Sequence, residues 1–349
     1  MQRQPLEVQT LYAEFQERLA AYEAQRTIGH LSGSFVTKSV KGRQYYYFQY
    51  LEPGGARKQV YVGPKDAASD AVAARFATER AESSEDGVSI QRLASLLRAG
   101  GAMVTDTASA RVLAALSDAG IFKLGGVLVG THAFIVIGNL LGAAWSGAAL
   151  RTQDVDVAAE TGMSVVLPDA PADIPSVLES LEMGFLPVPA LNPRSPSTSF
   201  KVRGRGVRVD LVTPTSARRS SPVELPRFKA SAQPLKFLDL VIESAVRGAV
   251  VDGGGILVNV PDPARFALHK LIVAGERPAT MHSKREKDLW QAAQVLEVLV
   301  VERQGDVRRA WDAVVARGRG WTKRVESGNS AMAALAPEVS AALSPMLRR

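Results

Sequence analysis

Val8, Leu11, Tyr12, Phe15, Leu19 and Tyr22 recur three and four residues apart, the spacing of one helix face, and predict an amphipathic helix over residues 8–26. The pattern then changes. SFVTKSV, QYYYFQYLEPGG and KQVYVGP, within residues 34–63, read as short strands with Pro53-Gly54-Gly55 at a turn. An Ala-rich helical pattern returns over 66–82, and the polar stretch 82–87 reads as a linker. Residues 89–97 and 108–119 read as helices, the second stopped by Gly120, because glycine accepts a left-handed C-cap. Residues 126–130 read as a short buried strand, 132–144 as a helix, 153–159 as a strand and 174–183 as a helix. Residues 199–202 and 207–212 predict a hairpin across Gly204-Arg205-Gly206. Further strands are expected at 237–242 and 256–260, with Asp252-Gly253-Gly254-Gly255 as the turn between the pairing segments. The remainder is helical, at about 263–273, 284–302, 306–316 and 329–342, with Asp262 as N-cap and Pro263 at the start of the first.

This order predicts an α/β chain in three parts: an α+β module over 1–87, a mixed sheet with packed helices over 88–260, and a helical block over 261–349. At 349 residues the chain is too long for one ordinary core, and its 46% hydrophobic and 22% charged residues suit a globular protein. There is no cysteine, which excludes disulfides and thiolate zinc sites. The first residues show no signal peptide, and the expected setting is cytoplasmic. The uncharged run 127–144 approaches the length of a membrane span, but its glycines, His132 and Asn139 fit a buried strand–turn–helix better, so no membrane role is expected. A formal charge of +7 favours polyanionic partners.

The chemistry concentrates in 129–158, VGTHAFIVIGNLLGAAWSGAALRTQDVDVA. A strand ending in Gly130-Thr131 and opening a helix presents free backbone N–H groups, a ready site for phosphate. In a strand, Asp154 and Asp156 point to one face about 7 Å apart, between the apolar Val155 and Val157. Two such carboxylates are costly unless neutralised, and a pair of Mg²⁺ ions would neutralise them. A third carboxylate is wanted on an adjacent strand, and Asp210, interrupting the apolar VRVDLVTP, supplies it. Each feature alone has a bland reading: D-x-D is common at solvated strand edges, and Arg208 shares a face with Asp210, so the two can form a structural ion pair.

The order of a glycine–threonine turn, D-x-D and a later single aspartate resembles the DNA polymerase beta-like nucleotidyltransferases. More narrowly, GTHAF, GNLLG and RTQDVDVA resemble a bacterial nucleotidyltransferase family related to the minimal and abortive-infection types, and VPDPARFALHKLIV with KREKDLWQA resembles the helical segment that follows its catalytic sheet. The resemblance covers roughly residues 90–300. The step from Thr131 to Asp154 is longer than usual in the broad superfamily, so the narrower family carries the alignment. The resemblance implies the polymerase beta-like mixed sheet, and transfer of a nucleoside monophosphate from an NTP to an acceptor hydroxyl with Mg²⁺ or Mn²⁺. It also implies Gly130 and Thr131 at the triphosphate and Asp154, Asp156 and Asp210 as catalytic metal ligands. A role as a toxin or defence protein with an antitoxin partner follows by family analogy alone.

Several residues stand beside this core. Arg151 and Thr152 precede the aspartates and are placed to touch phosphate, or are ordinary strand-start residues. Lys270 is a phosphate-binding candidate, since a lysine is a good point charge for it, against a plain solvated helix face. Lys287-Asp288 reads as structural or substrate-facing, and His132 as a packing residue at a helix start. The four histidines, 30, 132, 269 and 282, show no zinc spacing, and there is neither a P-loop nor a G-x-S-x-G elbow. Residues 194–229 hold nine Lys/Arg against two acids. Residues 36–65 hold six against one, interleaved with Tyr45, Tyr46, Tyr47, Phe48, Tyr50 and Tyr61. Basic strands with aromatics suit an RNA or tRNA acceptor, or are a small sheet with its own aromatic core. A small-molecule (antibiotic-type) nucleotidyltransferase and a non-catalytic nucleic-acid-binding protein are the alternative readings.

Overall fold

The computed structural model describes residues 1–348 except 26–30, 32, 52–56, 148–153, 161–171, 191, 193, 205 and 217–220. Arg151, Thr152, the turn at 53–55, His30 and the centre of the 204–206 turn thus lie outside the described residues.

A short strand β1 (Gln2–Arg3) leads into helix α1 (Leu6–Ala24), which buries Val8, Tyr12, Phe15 and Leu19, four of the six positions that predicted it. Strands β2 (Ser34–Val40), β3 (Arg43–Leu51) and β4 (Arg57–Pro64) form a separate antiparallel meander. Helix α2 (Ala67–Ala99) then runs without a break through 82–87, the stretch expected to be a linker. Asp66 and Ser69 form a reciprocal capping box at its start, with Ser69 N–H donating to Asp66 Oδ1 at 2.9 Å. A helix polar all round can persist where it bridges two packed units. Here the aromatic meander packs at one end through Phe76, while Ile90, Leu93, Ala94 and Leu97 at the other end pack on α1. Because α1 also packs on the sheet hairpin described below, the first helix belongs to the main body rather than to the meander.

The body continues with α3 (Thr107–Asp118), capped by the Asp106 carboxylate, strand β5 (Val127–Val129), helix α4 (Gly130–Leu140), and the short strand β6 (Ala143–Ala144), which pairs with β1. The chain continues with β7 (Asp154–Ala158), α5 (Ile174–Ser180), β8 (Phe185–Pro187), β9 (Ser199–Val202), β10 (Arg208–Pro214), β11 (Val223–Leu225) and β12 (Ala230–Leu235). Helix α4 ends at Leu140, earlier than expected, where Gly142 takes φ +61° and turns the chain. Strand β10 is the spine of the mixed sheet: parallel to β7 on one side, and on the other antiparallel to β9 along its first half and parallel to β12 along its second. Strand β5 completes the path antiparallel to β7.

The strand expected at 237–242 is instead a turn and a short helix, α6 (Asp239–Ile242). Its apolar run buries Leu238, Leu240 and Val241, and a short apolar run cannot be told from a strand by periodicity alone. The partner of β14 (Ile256–Pro261) is β13 (Ala245–Val250), with the Asp252–Gly255 turn between them as expected. Helices α7 (Pro263–Glu276), α8 (His282–Glu302), α9 (Gln304–Ala316), α10 (Arg319–Met332) and α11 (Pro337–Leu343) form the C-terminal block. The Asp262 cap is confirmed: Arg265 N–H donates to Asp262 Oδ1 at 2.9 Å. The single helix expected at 329–342 is two, separated before Pro337, whose ring suits a first helical position and not an interior one.

The main core runs from the inward face of the sheet, through Leu128, Val155, Val157, Val209 and Leu211, to the inner faces of α7 and α8. A second cluster joins α1 and the end of α2 to Ala249 and Val251. Among the described residues no helix is long and apolar enough to cross a membrane.

Phe15 is fully buried in that second cluster, so Phe15→Ala is expected to lower stability by about 3–5 kcal/mol. Chemical denaturation of the full chain checks this. A loss under about 0.5 kcal/mol, the scale of an unremarkable surface change, would show α1 to be an appendage.

Candidate functional site

Strand alternation builds the site. On β7, Val155 and Val157 face the main core, while Asp154 and Asp156 face the other way. On β10, Val209 and Leu211 face the core, and Arg208 and Asp210 the other way. The two strands are parallel and in register, with Asp154 beside Arg208 and Asp156 beside Asp210. Val129 lies opposite Asp156 on the other side, and Ser199 opposite Asp210. Neighbouring strands are about 4.8 Å apart, so a single row across four strands reads Val129, Asp156, Asp210, Ser199. Farther along the same face the residues turn apolar: Val127, Val129, Ala158 and Val212 pack with Leu238 and Val241 at α6. The carboxylates occupy the open end of a half-covered sheet face.

Gly130 follows β5 directly, at φ +69°. A Cβ there would collide with the Asp156 carboxylate, so glycine is required both by the backbone and by the close approach. The Asp156 side chain therefore sits against the first turn of α4, where the backbone N–H groups have no intrahelical partner. Thr131, one residue on, is buried and accepts a long hydrogen bond from Gln291 Nε2 of α8 at 3.4 Å. Asp156 is half-buried and receives no hydrogen bond among the described residues. Burial first, then the charges of Asp210 and Asp154, push its carboxyl up to about 7, and Lys270 and Arg208 offset this only in part.

Asp210 is held differently. Arg208 Nε donates to Asp210 Oδ1 at 2.7 Å, the Ser199 hydroxyl also donates to that oxygen, and Arg208 reaches Ser199 Oγ at 2.9 Å. The ion pair that the sequence allowed is thus present, and Asp210 lies beside Asp156 as the metal-site reading requires. Among the described residues no three His, Asp or Glu side chains are gathered as a ready-made metal cluster.

The cations come from α7, α8 and the turn between them. Lys270 Nζ donates to Asp288 Oδ1 at 2.9 Å and Arg277 Nε to Asp288 Oδ2 at 2.5 Å. Burial works against the charge of Asp288, but Lys270 and Arg277 outweigh it and hold its carboxyl below the usual range. Asp288 is therefore a buried anchor that fixes two cations at the edge of the site. Lys270, expected to reach phosphate directly, is engaged by this anchor, although its field is felt at Asp156. Lys287 is half-buried and interacts with Asp154, Asp156 and Asp288, while burial and Lys270 lower its pKa. His132 is buried with both ring nitrogens unpartnered, and burial pushes its pKa down to about 4, so it is neutral and packs as expected. His269 is likewise neutral, its pKa pushed down to about 3 by burial and by the neighbouring cations.

The GNLLG segment proves structural. Asn139 donates to the Met103 carbonyl and accepts the Met103 N–H, both at 2.8 Å, and Gln4 Nε2 donates to Asn139 Oδ1 at 3.0 Å. Gln294 of α8 accepts the Ser146 N–H at 2.7 Å and so ties α8 to the residues just after β6. Four residues of the site escaped the sequence reading. Ser199 could be found only from the hairpin register, and Arg277, Gln291 and Gln294 only from helix packing.

A raised carboxyl pKa has a defined consequence for stability. The folded state holds the Asp156 proton more tightly than the unfolded chain, so Asp156 costs stability as pH rises from the ordinary aspartate range through about 7. Asp156→Asn removes that cost. Without metal, the variant is expected to be more stable than wild type near neutral and mildly alkaline pH, by on the order of 1–3 kcal/mol, and indistinguishable from it in acid. Denaturation across that pH range measures it, and equal stability at all pH values would remove the buried-charge account.

Comparison with known proteins agrees with this geometry. A family model described as nucleotidyltransferase matches residues 107–316, from α3 through α9, which includes every residue of the site and more than half the chain. Among solved structures, the chain is similar to an antigenic nucleotidyltransferase-like protein from Paracoccidioides brasiliensis, at 13% identity over 63% of this chain and 94% of that one. The TM-score is 0.31, too low to bear on the argument. No curated protein matches. The chain belongs to the nucleotidyltransferase family and is an enzyme that transfers nucleotidyl groups.

Proposed function

We propose that this enzyme moves a nucleoside monophosphate from an NTP to an acceptor hydroxyl on the Asp154–Asp156–Asp210 face, in the manner of the polymerase beta-like nucleotidyltransferases. The observation that carries the reading is Asp156: a half-buried carboxylate, flanked by two others, with no described hydrogen-bond donor, pressed against a helix N-terminus. A half-buried carboxylate beside two like charges is costly, and a divalent cation together with a polyphosphate would offset that cost. The donor set is hard oxygen, which suits Mg²⁺ or Mn²⁺. Asp154 and Asp156 would hold the ion, and Asp210 would join them on exchanging its contact with Arg208. When bound, the ion offsets phosphate charge and lowers the pKa of the acceptor hydroxyl.

The chain's own groups do the positioning. The first turn of α4, at Gly130 and Thr131, offers backbone N–H groups and the positive end of the helix to the triphosphate. Lys287, and Lys270 fixed by Asp288, set positive charge facing the carboxylates, where the phosphates would lie. Arg208, beside Asp154 on the sheet, is placed to pass from Asp210 to a phosphate oxygen. The acceptor in this reading is RNA, tRNA included. Support comes from the formal charge of +7 and the nine Lys/Arg over 194–229 around β10.

Calorimetry with each NTP is expected to show binding strengthened by Mg²⁺ or Mn²⁺, and Asp154→Asn with Asp156→Asn to abolish that effect. Equal affinity in EDTA would sink the metal-dependent account. Incubation with each α-labelled NTP and total RNA then reads whether label enters RNA.

Asp210→Asn separates catalysis from structure. Its ion pair with Arg208 is partly exposed and worth only about 0–1 kcal/mol. The variant is expected to melt within a few degrees of wild type while single-turnover rate falls at least ~10²-fold. A clearly destabilised variant with near-normal turnover would leave Asp210 a structural residue.

A further inference from the structure

The three-stranded meander has two unlike faces, and among the described residues only one is used in packing. Antiparallel pairing sets Phe35 opposite Phe48, and both rings meet Phe76 of α2 edge-on, at 5.2 and 5.5 Å between centroids. Tyr46, next to Phe35, donates its hydroxyl to Asp70 of α2 at 2.8 Å. That face is the module's own core. Alternation sends Tyr45 and Tyr47 to the opposite face, where Tyr61, directly across from Tyr47, joins them at centroid distances of 6.0 and 5.6 Å. Tyr61 is 53% exposed, and Lys38 Nζ stands 4.8 Å from the Tyr47 ring centre. Strand parity adds Arg43 from β3, Arg57 from β4, and the amides Gln49 and Gln59, which bond each other at 2.8 Å. No Asp or Glu occurs anywhere in β2, β3 or β4.

We propose that this tyrosine face, Tyr45, Tyr47 and Tyr61 with Lys38, Arg43 and Arg57, is a binding platform for single-stranded nucleic acid. Clustered rings on an open, acid-free, basic sheet match what unpaired bases and their phosphates require: π-faces to stack on and cations beside them. A duplex keeps its bases stacked on one another and would offer this face its phosphates alone. A protein partner of ordinary interface chemistry gains nothing from the absence of acidic residues, whereas a phosphate chain gains throughout. The proposal goes beyond the catalytic reading and rests on it only for the idea that the bound strand is the acceptor. The binding itself is independent of Asp154 and Asp156, which lie in the body beyond α2.

The test is fluorescence anisotropy with the full chain and labelled oligouridine, oligothymidine and a duplex of equal length, across a salt series. The single strands are expected to bind more tightly than the duplex, and the RNA and DNA arms show whether the 2′-hydroxyl matters. Tyr45→Ala with Tyr47→Ala and Tyr61→Ala is expected to weaken single-strand binding at least about tenfold. Lys38→Glu with Arg57→Glu, both exposed, is expected to lower the slope of log affinity against log salt by about 1.4, from about 0.7 per phosphate contact on a single strand. Tyr46→Phe, on the packed face, should leave affinity unchanged, and so should Asp154→Asn with Asp156→Asn, which separates this proposal from the catalytic one. Wild-type affinity in both face variants, a duplex bound as tightly as the single strands, or no binding at low salt would each overturn it.

Discussion

Like charges on one sheet face set the problem that the rest of the molecule answers. Two parallel strands in register place Asp154, Asp156 and Asp210 together, and the alternation that buries Val155, Val157, Val209 and Leu211 leaves them no other direction to point. Burial, with repulsion from Asp210 and Asp154 added, raises the Asp156 carboxyl to about 7. Each neighbouring element then supplies part of the compensation. Helix α4 presents its N-terminus through Gly130, β10 supplies Arg208, and the α7–α8 pair supplies Lys270 and Lys287. These groups offset the raised Asp156 carboxyl only in part.

The helical block serves the site through one buried residue. Asp288 is 4% exposed, and its two oxygens take one cation each, Lys270 from within α7 and Arg277 from just beyond it. A buried carboxylate stripped of both partners would be a costly unpaired charge, so the pairing locks α8 onto α7. Gln291 and Gln294, one and two turns along α8, reach Thr131 at the start of α4 and Ser146 just after β6. One helix thereby orients the cations and contacts both of those segments.

The meander and the body are joined by a helix with little apolar surface at its middle. Tyr22 of α1 and Ser83 of α2 share a hydrogen bond at 3.2 Å there, and the apolar contacts lie toward the two ends. This arrangement reconciles a continuous chain with two separate clusters, and it keeps the exposed tyrosine face apart from the sheet that carries the aspartates.

Local pattern in the chain was enough for the elements with one buried face. The 3.6-residue period of α1, the alternation around Asp156 and Asp210, the Asp262-Pro263 start of α7 and the Gly130-Thr131 turn were all legible, because each depends on neighbours a few residues away. So was the nucleotidyltransferase character. Tertiary contacts decided the rest. Residues 82–87 carry no apolar period, and they are helical within α2, which packs at both ends and meets Tyr22 through Ser83. Residues 237–242 are apolar enough for a strand, but strand β14 takes 245–250 as its partner instead, and Gly248 there leaves room for Val136 of α4. The first part of α10, 319–328, falls outside the expected helix because it is polar and holds Gly320 and Gly328, yet Gly328 lets α10 lie against the Leu271 backbone. That Asp210 is gripped by Arg208 and Ser199, and Lys270 by Asp288, follows from strand register and helix docking. Those pairings join residues from 2 to 18 positions apart; side-chain periodicity reports which face a residue takes, and not which partner waits on it.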